Sequence, residues 1–558
     1  MMPTIKTIVV MLLLSLALVV GADAASIVNS LHNLSVSGPG AVKSTTQTEI
    51  CIFCHTPHNA RADIPYLWNR QDPAGPYTPY WSSTLKATVG QPTGTSRLCL
   101  SCHDGTIAPG AVLSQAAVMP FGASMAGRRS NLGTNLADDH PVSFHYGAAA
   151  AMPNSQLAAV AALPAAVRLD DTGQMQCTAC HNPHNDQYGK FLVMSNLGAG
   201  LCVSCHKKTN WSTNSHATST RTWNGSGTDP WPSSSYTTVA ENGCDNCHRP
   251  HTAPGQQRLL NYAVEETNCL VCHNGNVAVK DISSELNKVY RHPVANYTGV
   301  HDPAENYAGA VSKHVECTDC HNPHQVTNTA AAAPLVPGRL QGVPGVTAAG
   351  TYLASSTNLY EICFKCHGAL VNNVMPTTAY PRVDTVTDHR LKFATSNPSF
   401  HPVMGPLNQI SDNMLINGWV KGSIMYCTDC HNNDTLNGPR GPHGSAYKHI
   451  LVRKFETSEV PATVYNPADY DLCFGCHNVN TLFGNFTKFK QHKTHVNMHT
   501  QKDRCVYCHD PHGSRINPGM INFDRRVVSQ NGIKPIQYNP PVTNKNSCVL
   551  VCHGEPHG

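Results

Sequence analysis

The sequence predicts a mostly irregular chain with short α-helices, little β-structure and no conventional core. Three observations lead there. Charged residues make up only 13% of the 558, and 41% are apolar with a heavy share of alanine. Glycine and proline together number 80, so long amphipathic segments that could pack against one another are scarce. The 24 cysteines fall without remainder into twelve close pairs, each followed at once by histidine. Something other than side chains must supply the apolar bulk.

The cysteine pattern identifies that component. Cys-x-x-Cys-His is the c-type haem attachment signal: two thiols about one helical turn apart each form a thioether to a porphyrin vinyl group, and the histidine is placed under the iron. The sites are Cys51, Cys54 and His55; Cys99, Cys102 and His103; Cys177, Cys180 and His181; Cys202, Cys205 and His206; Cys244, Cys247 and His248; Cys269, Cys272 and His273. They continue with Cys317, Cys320 and His321; Cys363, Cys366 and His367; Cys427, Cys430 and His431; Cys473, Cys476 and His477; Cys505, Cys508 and His509; and Cys548, Cys552 and His553. The last site has three residues between its cysteines, which widens the loop under the porphyrin edge. Disulfide frameworks and zinc sites also use paired cysteines, but neither needs a histidine after every second one. The expected cofactor is twelve covalently bound haem c, and the expected fold an extended polypeptide wrapped around a chain of haems.

The sites group in twos, an internal repeat. Residues 1–25 read as a cleaved secretory signal, with Lys6, an apolar run over residues 8–20 and Ala22-Asp23-Ala24. Six two-haem units follow, at residues 26–160, 161–236, 237–305, 306–405, 406–500 and 501–558. Within a unit the first cysteines of the two motifs lie 25 to 48 residues apart, so the motifs are fixed while the loops vary. The apolar run is short for a membrane span, and no other stretch is a candidate. The protein is therefore expected to be exported, to the periplasm, the cell surface or the outside.

Twelve attachment histidines leave 20 of the 32, enough to close the second face of every iron. These spare histidines recur in position. One set follows the first motif of each unit, always as Pro-His: His58, His184, His251, His324, His443 and His512. In the fifth unit the motif is followed by Asn-Asn-Asp, and an inserted loop delays the Pro-His pair to His443. A histidine three residues beyond the one already on the iron cannot cross the same porphyrin, so this set is expected to ligate neighbouring haems. The other set follows the second motif, often as His-Pro-Val: His140, His216, His292, His401 and His495, with His492 as a weaker choice. The last iron is left to His557, to His314 or to His32. If His32 reached the terminal haem of the next subunit, the contact would be heterologous and would build a filament.

The formal charge is +4. Two propionates and about one positive charge on each ferric porphyrin core add about −12 for twelve haems, so the holoprotein is mildly acidic and no nucleic-acid partner is expected.

The combination CHxPH, LCxxCH and HPV resembles the doubled-CXXCH multihaem cytochromes c of metal-reducing and related bacteria, including extracellular filament-forming ones. That resemblance implies bis-histidine haems in a continuous chain, little regular secondary structure, and electron transfer between the cell envelope and outside acceptors. The partners it implies are redox partner cytochromes or extracellular acceptors such as metal oxides, and further copies of the chain in a homopolymer. A second reading is a multihaem reductase of nitrogen or sulfur oxyanions, which needs an open iron face. A third is a subunit of a porin–cytochrome conduit. No catalytic residue is expected in the carrier.

Overall fold

A computed structural model describes residues 27–296, 299, 301–302, 314–368, 381–407, 409–484, 487, 489–498, 502–540 and 548–557. The signal read at residues 1–25 lies outside the described residues. Most of the described chain is turn and coil, punctuated by short helices at the cysteine motifs. The longest helices are Gly94–His103 and Leu359–His367, each ending on a CxxCH. Other motifs form a single turn, as at Cys177–Cys180, Cys317–Cys320 and Cys505–Cys508. A helical turn brings residues three apart onto one side, as a pair of thiols for one porphyrin requires. Asn358 and Glu361 cap the Leu359–His367 helix reciprocally.

The final motif departs from this. Cys548–Cys552 is a β-strand, paired with Glu555–His557 and also with Val528–Ser529 and Gln537–Tyr538. Widening the cysteine spacing to four positions fits an extended strand, in which residues i, i+2 and i+4 share a face.

Two two-residue antiparallel ladders elsewhere share one design. Tyr290–Arg291 pairs with Gly444–Ser445, and Ser399–Phe400 pairs with Gly513–Ser514. In each, a His-Pro-Val segment meets a Pro-His-Gly-Ser segment. Glycine is required at the contact: a Cβ on Gly444 would lie 1.8 Å from the Glu285 carbonyl oxygen, and one on Gly513 would lie 2.3 Å from that of Lys392.

The chain divides into two compact units, Met1–Lys208 with Glu241–Ala263, and Thr209–Ala240 with Val264–Gly558. Their apolar clusters are small. In the first unit Phe144, Tyr146, Ala149, Val167, Met175 and Ala179 pack together. In the second, Val346, Phe364, Phe393, Val403 and Met425 form one cluster and Ile521, Phe523, Val528 and Leu550 another. Buried polar groups bind the loops between them. Arg70, fully buried, donates to the carbonyls of Ser101, Ala108 and Pro109 and to the Ser101 hydroxyl. Among the described residues no helix is long and apolar enough to cross a membrane.

Candidate haem-binding sites

The 24 cysteines form no disulfide. Instead, thiols of successive motifs meet. The thiols of Cys99 and Cys177 are within hydrogen-bond contact, as are those of Cys202 and Cys244, Cys269 and Cys317, Cys363 and Cys427, and Cys473 and Cys505. Each contact joins the second motif of one repeat to the first motif of the next. Within repeats, Cys54 lies near Cys102, Cys180 near Cys205, Cys430 near Cys476 and Cys508 near Cys552. Burial pushes the Cys54, Cys180, Cys320 and Cys430 thiols up to about 12. The attachment positions therefore line apolar surroundings and follow one another in sequence order inside each compact unit.

Histidine rings are paired at one recurring separation. His55 faces His184 at 6.0 Å between ring centroids, His103 faces His32 at 6.1 Å, His181 faces His251 at 6.1 Å and His206 faces His140 at 6.2 Å. In the second compact unit His273 faces His216, His321 faces His443 and His477 faces His401, all at 6.2 Å. His431 faces His512 at 6.1 Å and His509 faces His492 at 6.3 Å. These rings are too far apart for stacking contact. Two imidazoles on one metal, each with a metal–nitrogen bond of about 2.0 Å and about 1.1 Å from nitrogen to ring centre, are separated by about 6.2 Å. The donor set and its spacing fit an iron held between two histidines.

The pairing follows the repeat. Pro-His residues face the first attachment histidine one unit earlier, as His184 does His55 and His512 does His431. Histidines ahead of a unit face its second attachment histidine, as His32 does His103 and His401 does His477. The ladders explain why: continuing the Phe400–Gly513 register sets His401 opposite His512, so one strand pair positions ligands for two different sites. Continuing Arg291–Gly444 likewise sets His292 opposite His443.

Orientation is fixed from behind. In the first motif of each unit the attachment histidine bonds through Nδ1 to a loop carbonyl: His55 to Tyr66 at 2.6 Å, His181 to Lys190 at 2.9 Å, His248 to Arg258 at 2.7 Å, His321 to Arg339 at 3.1 Å, His431 to His449 at 2.8 Å and His509 to Gly519 at 2.7 Å. Five of those carbonyls begin a two-residue turn with positive φ at both positions, namely Tyr66-Leu67, Lys190-Phe191, Arg258-Leu259, His449-Ile450 and Gly519-Met520. Left-handed backbone at non-glycine residues costs on the order of 1 kcal/mol each and persists where the surroundings impose it. The opposing histidines of the second motifs are held in the same way: His32 bonds the Pro183 carbonyl and His216 the Pro323 carbonyl, each at 3.1 Å, while His292 and His401 bond those of Pro442 and Pro511. An Nδ1–H bond to a carbonyl fixes the tautomer and leaves Nε2 free to ligate.

Burial favours the neutral form of four attachment histidines. Desolvation, then the neighbouring His140, pulls His206 down to about 3, and burial lowers His273, His477 and His509 to about 4. A neutral imidazole is the ligating form.

Other candidate histidines occupy varied surroundings. His32, considered as a link to another subunit, stacks on Phe191 at 4.0 Å and faces His103 of its own chain. His58 is exposed and, among the described residues, faces no other histidine. His324 sits beside Trp211 at 6.4 Å. His492 and His495, treated as alternatives, both have partners: His495 faces His557 at 6.2 Å. His553 instead lies 5.1 Å from the Tyr507 ring and 3.6 Å from the Asp503 carboxylate. The hairpin is the physical reason. Its two-residue turn, His553-Gly554, has positive φ at both positions, so His553 is at the turn, while Leu550 pairs with His557 and brings that histidine to the face shared by Cys548 and Cys552. His314 joins His301, Glu316 and Asp319 in a cluster of its own.

Sequence reasoning passed over two features. His389, in a four-residue helix after Asp388, lies 6.0 Å from His367 and 4.5 Å from His512. The left-handed turns were also missed, although each falls where an apolar pair such as Phe191-Leu192 or Ile450-Leu451 follows a motif.

No curated protein matches the chain. The family model for the doubled CXXCH motif matches residues 171–210, 237–278 and 420–481. Those regions hold three of the six repeats found above, and the same thiol and imidazole geometry recurs outside them. With covalent haem c indicated by the motifs and a mostly irregular chain built around them, these matches support a doubled-CXXCH multihaem c-type cytochrome.

Proposed function

We propose that the protein is an exported dodecahaem electron carrier that moves electrons over long distance between the cell envelope and acceptors outside it. The observation that carries this reading is the set of attachment-to-spare histidine pairs at 6.0 to 6.3 Å. Haem c takes up and releases one electron at its iron, and two histidines close that iron to substrate. The chain attaches the haems in sequence order and orients many of the imidazoles from a backbone carbonyl. For the last site we assign His557 and His495 as the two ligands. For His367 we assign His292, because the Arg291–Gly444 ladder repeats the one that brings His401 to His477. His367 is also within electrostatic reach of His292.

Redox partner cytochromes and extracellular acceptors such as metal oxides fit a carrier with no reacting site of its own. Protein-film voltammetry of the secreted holoprotein tests this. A carrier gives reversible one-electron waves and no catalytic current with nitrite, hydroxylamine or sulfite. A catalytic current with any of them would establish the reductase reading instead. His292→Ala should convert one iron to the high-spin form, and His389→Ala should not; the reverse result would reassign the ligand of His367.

A further inference from the structure

His301, His314, Glu316 and Asp319 form a cluster apart from the histidine pairs described above. One ligand atom from each lies within 4.8 Å of the others. The group is buried: Glu316 is 1% exposed, Asp319 6% and His301 8%. Both Glu316 carboxylate oxygens are inaccessible to water, and the side chain caps the turn at Asp319. Its neighbour is His301, with Nδ1 at 3.0 Å, and the same nitrogen lies 3.7 Å from Asp319. Glu265 and Glu266, at 7% and 5% exposure, bring two more carboxylates to the same region. Buried carboxylates are paired or bind metal.

The arrangement has the supports of a metal site. The His301 amide donates to Glu265 Oε2 at 3.0 Å, and Thr318 Oγ1 donates to Glu265 Oε1 at 3.0 Å. The Glu316 amide donates to Asp319 Oδ2 at 2.8 Å. These contacts fix the loop bearing His301 to the helix turn that begins at Cys317. Glu265 starts the helix Glu265–Leu270, which carries Cys269, and the thiols of Cys269 and Cys317 touch.

We propose that His301, His314, Glu316 and Asp319 bind one divalent transition-metal ion, with zinc the best fit. Tetrahedral zinc with bonds of about 2.0–2.1 Å separates its ligand atoms by about 3.3 Å, which the 3.0 and 3.7 Å distances bracket. Two imidazoles among four ligands select zinc over calcium or magnesium, which take oxygen. The ion clamps the junction between two successive haem attachment segments and offsets buried negative charge beside them.

The test uses the haem-loaded protein, equilibrated with Zn2+ and freed of excess by gel filtration. One zinc per chain should be retained by elemental analysis, and zinc-edge X-ray absorption should show two imidazoles and oxygen ligands. His314→Ala should remove one imidazole from that spectrum. Glu316→Gln should weaken zinc binding by about 100-fold or more, with the haem spectrum unchanged. Retention of no zinc by the wild-type protein, or a zinc spectrum without imidazole, overturns the proposal. So does zinc bound equally tightly by both variants. The wild-type measurements stand even if a variant fails to fold.

Discussion

Replacing His557 and His553 one at a time separates two ligand assignments for the last haem. In the Cys548–Cys552 strand the side chains of Cys548, Leu550 and Cys552 share a face, and His557 is the cross-strand partner of Leu550. His495 lies 6.2 Å from His557, the separation seen at the other sites. His557→Ala should therefore leave one iron of twelve with a single imidazole, and a high-spin ferric signal of about one twelfth of the total iron should appear. His553→Asn should produce none. Asn-Gly is the preferred sequence for a two-residue turn with positive φ at both positions, so this change suits the turn. The loss of the ring contact with Tyr507 costs on the order of 1 kcal/mol and leaves the ligands in place. Quantitative electron paramagnetic resonance of the oxidised variants reads both outcomes. A high-spin fraction in His553→Asn with none in His557→Ala would refute the hairpin argument.

Three further predictions follow from the geometry. His32→Ala should give one high-spin iron in the isolated monomer, because His32 serves His103 of its own chain; an all-low-spin monomer would contradict this. Gly444→Ala should destabilise the protein by about 2 kcal/mol or more and release His443 from His321, since the new Cβ meets the Glu285 carbonyl at 1.8 Å; urea unfolding and the high-spin signal report the two effects. Acid should weaken the fold: His273, His477 and His509 are held near 4 by burial, while the unfolded chain takes up protons near 6.5. Their contribution is complete above pH 6.5 and is lost as pH falls toward 4, on the order of 3 kcal/mol for one such site. Iron–imidazole bonds compete for the same proton and act in the same direction. A urea midpoint that rose between pH 7 and 4.5 would oppose this reasoning.

The attachment sites and the irregular fold were legible because a local spacing defines them: two cysteines and a histidine within five residues. The recurrence of Pro-His and His-Pro-Val also marked many of the spare histidines that face an attachment histidine. Which ring faces which was not legible, since it depends on pairings such as Phe400 with Gly513, set by distant segments. The conformation of the last site was not legible for a related reason. CxxxCH read as a widened loop under the porphyrin edge, whereas Cys548–Cys552 is a strand and the hairpin sets His557, rather than His553, opposite His495. The cluster of His301, His314, Glu316 and Asp319 carries no motif, because folding rather than spacing brings His301 to Glu316. His389 belongs to no repeated segment, so nothing in the pattern drew attention to it.

Haem content and spin state of the wild-type holoprotein, measured together, test the central claim most directly. Mass spectrometry should find twelve haem c on each chain, and electron paramagnetic resonance should find all the ferric iron low-spin, as two histidines on every iron require. A chain with fewer haems, or a native high-spin fraction of about one twelfth or more, would contradict a closed bis-histidine carrier.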